Sequence, residues 1–240
     1  VDETLDSIRD IKLYQPKKGY RFSVDSLLLY DFVNLKHVKS IGDLGAGSGI
    51  VGILLAKKYP YAEVSLFEIQ ESLARLAEKN ISLNHLDDRV KIIRCDLRTL
   101  HSLHITHHDF DLLVSNPPFR KVKSGLISEG EEKAIARHEI KLRLHELIES
   151  AKSLLKIKGR LCMVYHPYRL SELLEVLKKS DLQPKRLRFV HSNTSSEAKM
   201  LLIEAVKGGK VGLKVERPLY IYNEKGNYSD EMMGIYQIKE

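Results

Sequence analysis

Short apolar runs alternating with helical repeats constrain this chain more than any other feature. Seven such runs, at 40–45, 63–69, 90–96, 110–115, 160–166, 186–191 and 200–207, are rich in β-branched and aromatic residues and bounded by turn formers. Stretches of helical period lie between them, at 50–58, 71–83, 139–157 and 170–180. In the third of these, Leu144, Leu147, Ile148, Ala151, Leu154 and Leu155 share one face. Strand runs without polar alternation are buried on both sides, and intervening helices supply that cover, so the pattern predicts an α/β fold around a mostly parallel sheet. The last two runs are separated only by residues 192–199, too few for a parallel crossover, so the final strand is expected antiparallel, in a hairpin.

This core is expected over residues 40–210. Residues 1–39 read as an N-terminal extension with one short helix at 25–34. Residues 211–240 read as an appended C-terminal segment with a small strand and helix, interrupted by Pro218 and the polar turn at 223–227. A chain of 240 residues with 43% hydrophobic content suffices for one buried core, which excludes a disordered protein.

The formal net charge of +7 and pI near 9.2 favour encounter with polyanions. Cys95 and Cys162 are far apart and sit in apolar runs, where cysteine packs as a small hydrophobe. With no CxxC pair, neither a zinc ribbon nor a redox dithiol is suggested. The first ten residues are acidic and polar, unlike a secretory signal, and no apolar run approaches the roughly 20 residues that span a bilayer. A cytoplasmic protein with no membrane association is expected.

Asp43-Leu44-Gly45-Ala46-Gly47-Ser48-Gly49 follows the first core strand and opens a helix. Glycines permit a sharp turn and close ligand approach, and the helix start adds free N–H groups at a positive dipole end. The spacing is G-x-G-x-G, neither the dinucleotide fingerprint nor a phosphate-binding Gly-Lys-Ser/Thr loop. Glu68 ends the second strand about 20 positions on, where nucleotide folds place an acceptor for ribose hydroxyls. Asp96 ends the third strand at the same sheet edge. Each acid alone could be a helix cap; three together at one edge indicate a ligand site.

Asn116-Pro117-Pro118-Phe119 follows the fourth strand. Two prolines stiffen the turn and leave carbonyls without neighbouring donors. An asparagine oxygen beside a fixed carbonyl gives two acceptors suited to the two N–H bonds of an exocyclic amino group. Phe119 offers a face for stacking a planar base or amide. A base handled this way must be unstacked or single-stranded.

Together, Asp43 to Gly49, Glu68, Asp96 and Asn116 to Phe119 resemble class I S-adenosylmethionine-dependent amino methyltransferases, which include adenine-N6 and glutamine-N5 enzymes. The resemblance implies a Rossmann-like seven-stranded sheet with a reversed final hairpin. It implies that Gly45, Gly47 and Gly49, with Asp43 and Ala46 beside them, line the cofactor's methionine part. Glu68 would hold the ribose, and Asp96 with Leu97 the adenine. Asn116 and Pro118, with Pro117, would present acceptors, and Phe119 would stack on the target. More specifically, Gln15-Pro16-Lys17-Lys18-Gly19-Tyr20-Arg21-Phe22-Ser23-Val24-Asp25 resembles the bacterial tRNA1(Val) adenine-37 N6-methyltransferase family. So do Ile135-Ala136-Arg137-His138-Glu139, the hairpin from Val190-His191 to Glu197-Ala198, Lys207-Gly208-Gly209-Lys210 and Pro218-Leu219-Tyr220-Ile221-Tyr222. The family implies S-adenosylmethionine as cofactor and a tRNA partner.

Basic residues run along both termini without one dense patch. Lys17, Lys18 and Arg21, then Arg120, Lys121 and Lys123, are the first candidates for RNA contact. His101, His104, His107 and His108 lack a Cys or carboxylate pattern, so no metal site is expected. His138-Glu139 is not a HExxH motif, and Ser195 and Ser196 lack a nucleophile-elbow context. A glutamine-N5 protein methyltransferase is the alternative enzyme, disfavoured by Phe119 and the basic charge. A non-catalytic RNA-binding module on the same fold is the other alternative.

Overall fold

The computed structural model describes residues 3–17, 24–99, 110–117 and 143–237. An antiparallel hairpin, β1 (Glu3–Ile8) and β2 (Ile11–Pro16), precedes α1 (Val24–Phe32). The core runs β3 (Ser40–Leu44), α2 (Ile50–Lys58), β4 (Glu63–Glu68), α3 (Glu71–Leu83), β5 (Val90–Arg94) and β6 (Phe110–Ser115). It continues with α4 (Leu144–Leu154), β7 (Leu155–Tyr165), α5 (Leu170–Lys179), β8 (Leu182–His191) and β9 (Ala198–Lys207). The two-residue strands β10 (Lys214–Val215) and β11 (Leu219–Tyr220) and helix α6 (Asp230–Tyr236) end the described chain.

The seven expected strands form the main sheet, which β10 and β11 extend to nine strands among the described residues. Its order is β10-β8-β9-β7-β6-β3-β4-β5, with β11 also beside β8. β3 to β7 are mutually parallel, and β9 runs antiparallel to both β7 and β8. From β3 the chain winds outward one way through β4 and β5 and the other way through β6 and β7. The switch point therefore lies between β3 and β6, where open α/β sheets hold ligands at the carboxyl edge. One hydrophobic cluster joins the sheet to α1, α2, α3 and the N-terminal hairpin; a second, on the other face, contains α4 and α5.

The N-terminal hairpin was not expected. β2 buries Ile11, Leu13 and Gln15 and alternates outward, a period-two pattern too short to stand out beside the polar start of the chain. It is fixed by two buried asparagines on α3. Asn84 accepts the Lys12 N–H at 3.0 Å and donates to the Lys12 carbonyl at 2.7 Å. Asn80 pairs the same way with Tyr14, at 2.7 and 3.1 Å, so two side-chain amides stand in for a neighbouring strand. The helix expected at 139–157 is shorter: residues 139–142 lie outside the described residues, and Leu155 is already extended and opens β7. Lys158 then takes a left-handed turn (φ 67°) and Gly159 passes close to the Phe110 carbonyl, where β6 and β7 shift register. No described helix is long and apolar enough to cross a membrane.

Candidate active site

The glycine turn is built by three consecutive odd-numbered positions in left-handed backbone. Gly45, Gly47 and Gly49 have φ of 77°, 58° and 86°, a region costly for residues with a Cβ. The Gly45 and Ala46 N–H groups bond the Phe67 carbonyl at 2.9 and 3.0 Å, which locks the turn to the end of β4. A Cβ built on Gly45 would meet nothing within 4 Å, whereas one on Gly49 would lie 3.0 Å from Leu66. The first glycine thus borders open space; the third serves packing between α2 and β4. Gly52, one turn into α2, is also a packing glycine, because a Cβ there would sit 2.1 Å from Leu66.

Two buried carboxylates back the turn. Glu68, 5% exposed, accepts the Gly47 N–H at 2.9 Å through Oε2 and the Gln70 N–H at 2.8 Å through Oε1. Asp43, 2% exposed, accepts the Gly52 N–H at 3.0 Å. Burial pushes the Asp43 carboxyl up to about 7; the Gly52 hydrogen bond opposes the rise and the neighbouring Glu68 adds to it. Ser48 Oγ is buried and has no hydrogen-bond partner among the described residues. Each carboxylate oxygen keeps a lone pair beyond the bonds named. Open space at Gly45, an orphaned hydroxyl and two buried acids fit a cationic ligand that carries hydroxyl donors, as S-adenosylmethionine does.

Asp96 and Leu97 follow β5 at the same edge. The Asp96 carboxylate is held by Arg98, whose Nη2 lies 2.5 Å from Oδ2, and this contact holds its carboxyl below the usual range. Leu97 is buried, and its carbonyl accepts the Ser150 hydroxyl at 3.0 Å.

Across the switch point, Ser115 Oγ donates to the Leu44 carbonyl at 2.8 Å and ties the end of β6 to the end of β3. Asn116 is the next residue. Its Nδ2 donates to Ser26 Oγ at 3.2 Å, which orients the amide, and Oδ1 meets no donor among the described residues. A small cavity here is lined by Asp25, Asn116, Pro117, Tyr165, His166 and Lys199, among others. Asp25 Oδ1 is buried within this region without a partner among the described residues. Pro118, Phe119, Arg120, Lys121, Lys123, Lys18, Arg21 and the His101 to His108 cluster lie outside the described residues. Lys17 lies just past β2 and is exposed.

Sequence reasoning missed Ser26, His166 and Lys199. Ser26 stands 90 positions from its partner, so no spacing signals it. His166 directly follows β7, and the rule that ligands gather at strand carboxyl ends could have flagged it.

The switch-point geometry, the glycine turn and the buried acids define the class: this is an S-adenosylmethionine-dependent methyltransferase. The methyltransferase small domain family model matches residues 21–189, and the chain belongs to that family. Within it, the chain is a member of the tRNA1(Val) (adenine(37)-N6)-methyltransferase family. A relative of that name from Porphyromonas gingivalis is 36% identical over 204 residues, covering 82% of this chain and 79% of the relative. Another of that name, from a Flavobacteriaceae bacterium, is 27% identical over 203 residues, covering 84% of each chain. A solved structure of a predicted O-methyltransferase from Agrobacterium tumefaciens shares the fold. It has a TM-score of 0.72 and 19% identity, over 89% of this chain and 95% of that one.

Proposed function

We propose that this protein is a cytoplasmic enzyme that methylates N6 of an adenine in RNA, the anticodon-loop adenine 37 of a tRNA(Val). The observation that carries this reading is Asn116, held by Ser26 at the switch point in the lining of the cavity. Gly45, Ala46, Gly47 and Gly49 would receive the methionine part of S-adenosylmethionine along their backbone, beside Asp43. Glu68 would accept from the ribose hydroxyls, and Asp96 with Leu97 would border the adenine. When bound, this cofactor supplies a methyl group already activated on a sulfonium, so the chain needs no nucleophile of its own.

What the chain contributes is positioning and electrostatics. Asn116 Oδ1 would accept one N–H of the target amino group, and a carbonyl of the Pro117-Pro118 segment the other. Both donors engaged, the nitrogen lone pair turns out of conjugation and toward the methyl. Phe119 would stack on the adenine. Lys17, Lys18 and Arg21, with Arg120, Lys121 and Lys123, would neutralise phosphates of the tRNA.

The test is transfer of labelled methyl from S-adenosylmethionine to tRNA from cells lacking the modification, with peptide-chain release factors as the competing substrate. Label recovered as N6-methyladenosine in tRNA(Val) is the expected result. Label in protein and none in RNA would overturn the reading in favour of glutamine methylation.

A further inference from the structure

The C-terminal segment carries an aromatic column that the methyl-transfer chemistry does not use. Tyr222 and Tyr228 face each other across an antiparallel bridge, their rings stacked at 5.5 Å and 7°. Tyr236 on α6 stacks on the other side of Tyr228, at 5.2 Å and 21°. The column's inner end packs against the core cluster that includes α1, whose Asp25 lines the acceptor cavity. Burial and a hydrogen bond to Tyr228 push the Tyr236 hydroxyl up to about 12, and the charge of Asp25, which lines that cavity, adds to the rise. Its outer end is Tyr222, 40% exposed. Backbone bonds from Ile221 to His191 and from Tyr222 to Ser192 hold Tyr222 beside the β8–β9 turn, at the carboxyl edge of the sheet where Asn116 also stands.

Tyr222 forms one wall of a surface cavity of about 420 Å³, completed by Asn193, Thr194, Ser195, Asn223 and Glu224. Asn193 Oδ1 accepts the Ser195 N–H at 3.1 Å, which leaves its Nδ2 donors without a partner among the described residues. Glu224 is the cavity's one acidic lining residue, and no Lys, Arg or His lines it among the described residues. A phosphate is therefore disfavoured there. A planar group with N–H donors and ring acceptors is favoured.

We propose that Tyr222 and this cavity form a second nucleobase site, which stacks an unpaired base neighbouring the target adenine while its edge meets Asn193 and Glu224. The site rests on the RNA reading given above. A ring already backed by two others loses little freedom when a base joins the stack, so the column pre-organises the platform. Lys199, in the lining of the Asn116 cavity, and Lys225, on the tyrosine hairpin, are exposed and carry no ion pair among the described residues. They suit the backbone of a strand running from one base site to the other.

The experiment uses the full chain and an unmodified tRNA(Val) anticodon stem-loop transcript. Tyr222→Ala should weaken transcript binding about tenfold, the effect of removing one base-stacking aromatic, while Tyr222→Phe binds as wild type. Affinity for S-adenosylmethionine should be the same in all three. A wild-type protein that methylates the transcript, with Tyr222→Ala binding it equally well, overturns the second site and leaves the RNA reading standing. A wild-type protein that neither binds nor methylates it overturns both. Photocrosslinking of transcripts carrying 5-iodouridine at single loop positions makes the test independent of how the variants fold. An adduct on Tyr222 supports the site, and adducts confined to other residues overturn it.

Discussion

On the β3–β4 side of the switch point, Asp43, the three glycines and Glu68 lie within 26 consecutive residues and are held by backbone bonds. On the β6–β7 side, Asn116, His166 and Lys199 come from three separate stretches to line a cavity, and Ser26, from a fourth, meets Asn116 through its side chain. The first region is made by one strand-turn-helix and its neighbour. The second exists only when the N-terminal helix, two strands and the β9 end have all docked. On the proposed reading the cofactor would be met by a local motif and the acceptor by long-range assembly, so substitutions in the two regions should separate cofactor binding from transfer.

The largest effect is expected at Asn116. Asn116→Ala should lower the single-turnover methyl-transfer rate by about 10²–10³-fold, the loss typical of removing one transition-state hydrogen-bonding group. Calorimetric affinity for S-adenosylmethionine should stay near wild type; a parallel loss of affinity would show that the two halves are not separable. Gly45→Ala should do the reverse. Its methyl meets no protein atom within 4 Å, so the fold bears mainly the left-handed strain of about 1–2 kcal/mol. The same methyl occupies the space open to a ligand, and cofactor affinity should fall about tenfold, or roughly 1.4 kcal/mol. Unchanged affinity would remove Gly45 from the cofactor surface.

Ser26→Ala probes orientation alone. Loss of one orienting hydrogen bond, worth about 1 kcal/mol, should cut kcat about fivefold and leave KM for RNA in place. Equal changes in both would make Ser26 a structural residue instead.

The smallest effect is a pH dependence. Folding raises the Asp43 carboxyl from an ordinary 3.8 to about 7, so the folded chain binds this proton more tightly than the unfolded one. The resulting stability is complete below about pH 4 and is lost as pH rises to 7. The ligand-free protein should therefore melt a few degrees lower at pH 8 than at pH 5 through this group, and Asp43→Asn should shrink that difference. Saturating S-adenosylmethionine, a cation, should shrink it too by favouring the ionised carboxylate. An identical pH slope in wild type and Asp43→Asn would show that the carboxylate titrates normally.

The same contrast explains what could be read from the chain before any coordinates. Strands β3 to β9 and the glycine turn were legible because their signals are local: apolar runs, glycines and an acid at a fixed interval. Asn116 was legible because its prolines are adjacent. The β1–β2 hairpin was not, because its partner is a pair of asparagine side chains on α3, which carry no strand signature. Ser26 was not, because its role depends on α1 docking against β7 and β9, which brings it to Asn116. Tyr222 stands in the sequence only as part of a family resemblance, and Tyr228 and Tyr236 carry no signal in a chain with 11 tyrosines until the hairpin and α6 bring the three rings together.

Asn80 couples the glycine turn to the N-terminal hairpin by hydrogen bonds, beyond the apolar cluster they share. Its Nδ2 donates to the Ser48 carbonyl in the glycine turn at 2.9 Å, while the same amide pairs with Tyr14 in the N-terminal hairpin. Anything that slows the opening of the turn must then slow the opening of the hairpin. Deuterium uptake at the Tyr14 amide, outside the main sheet, becomes a reporter of order in the turn, because one carboxamide holds both.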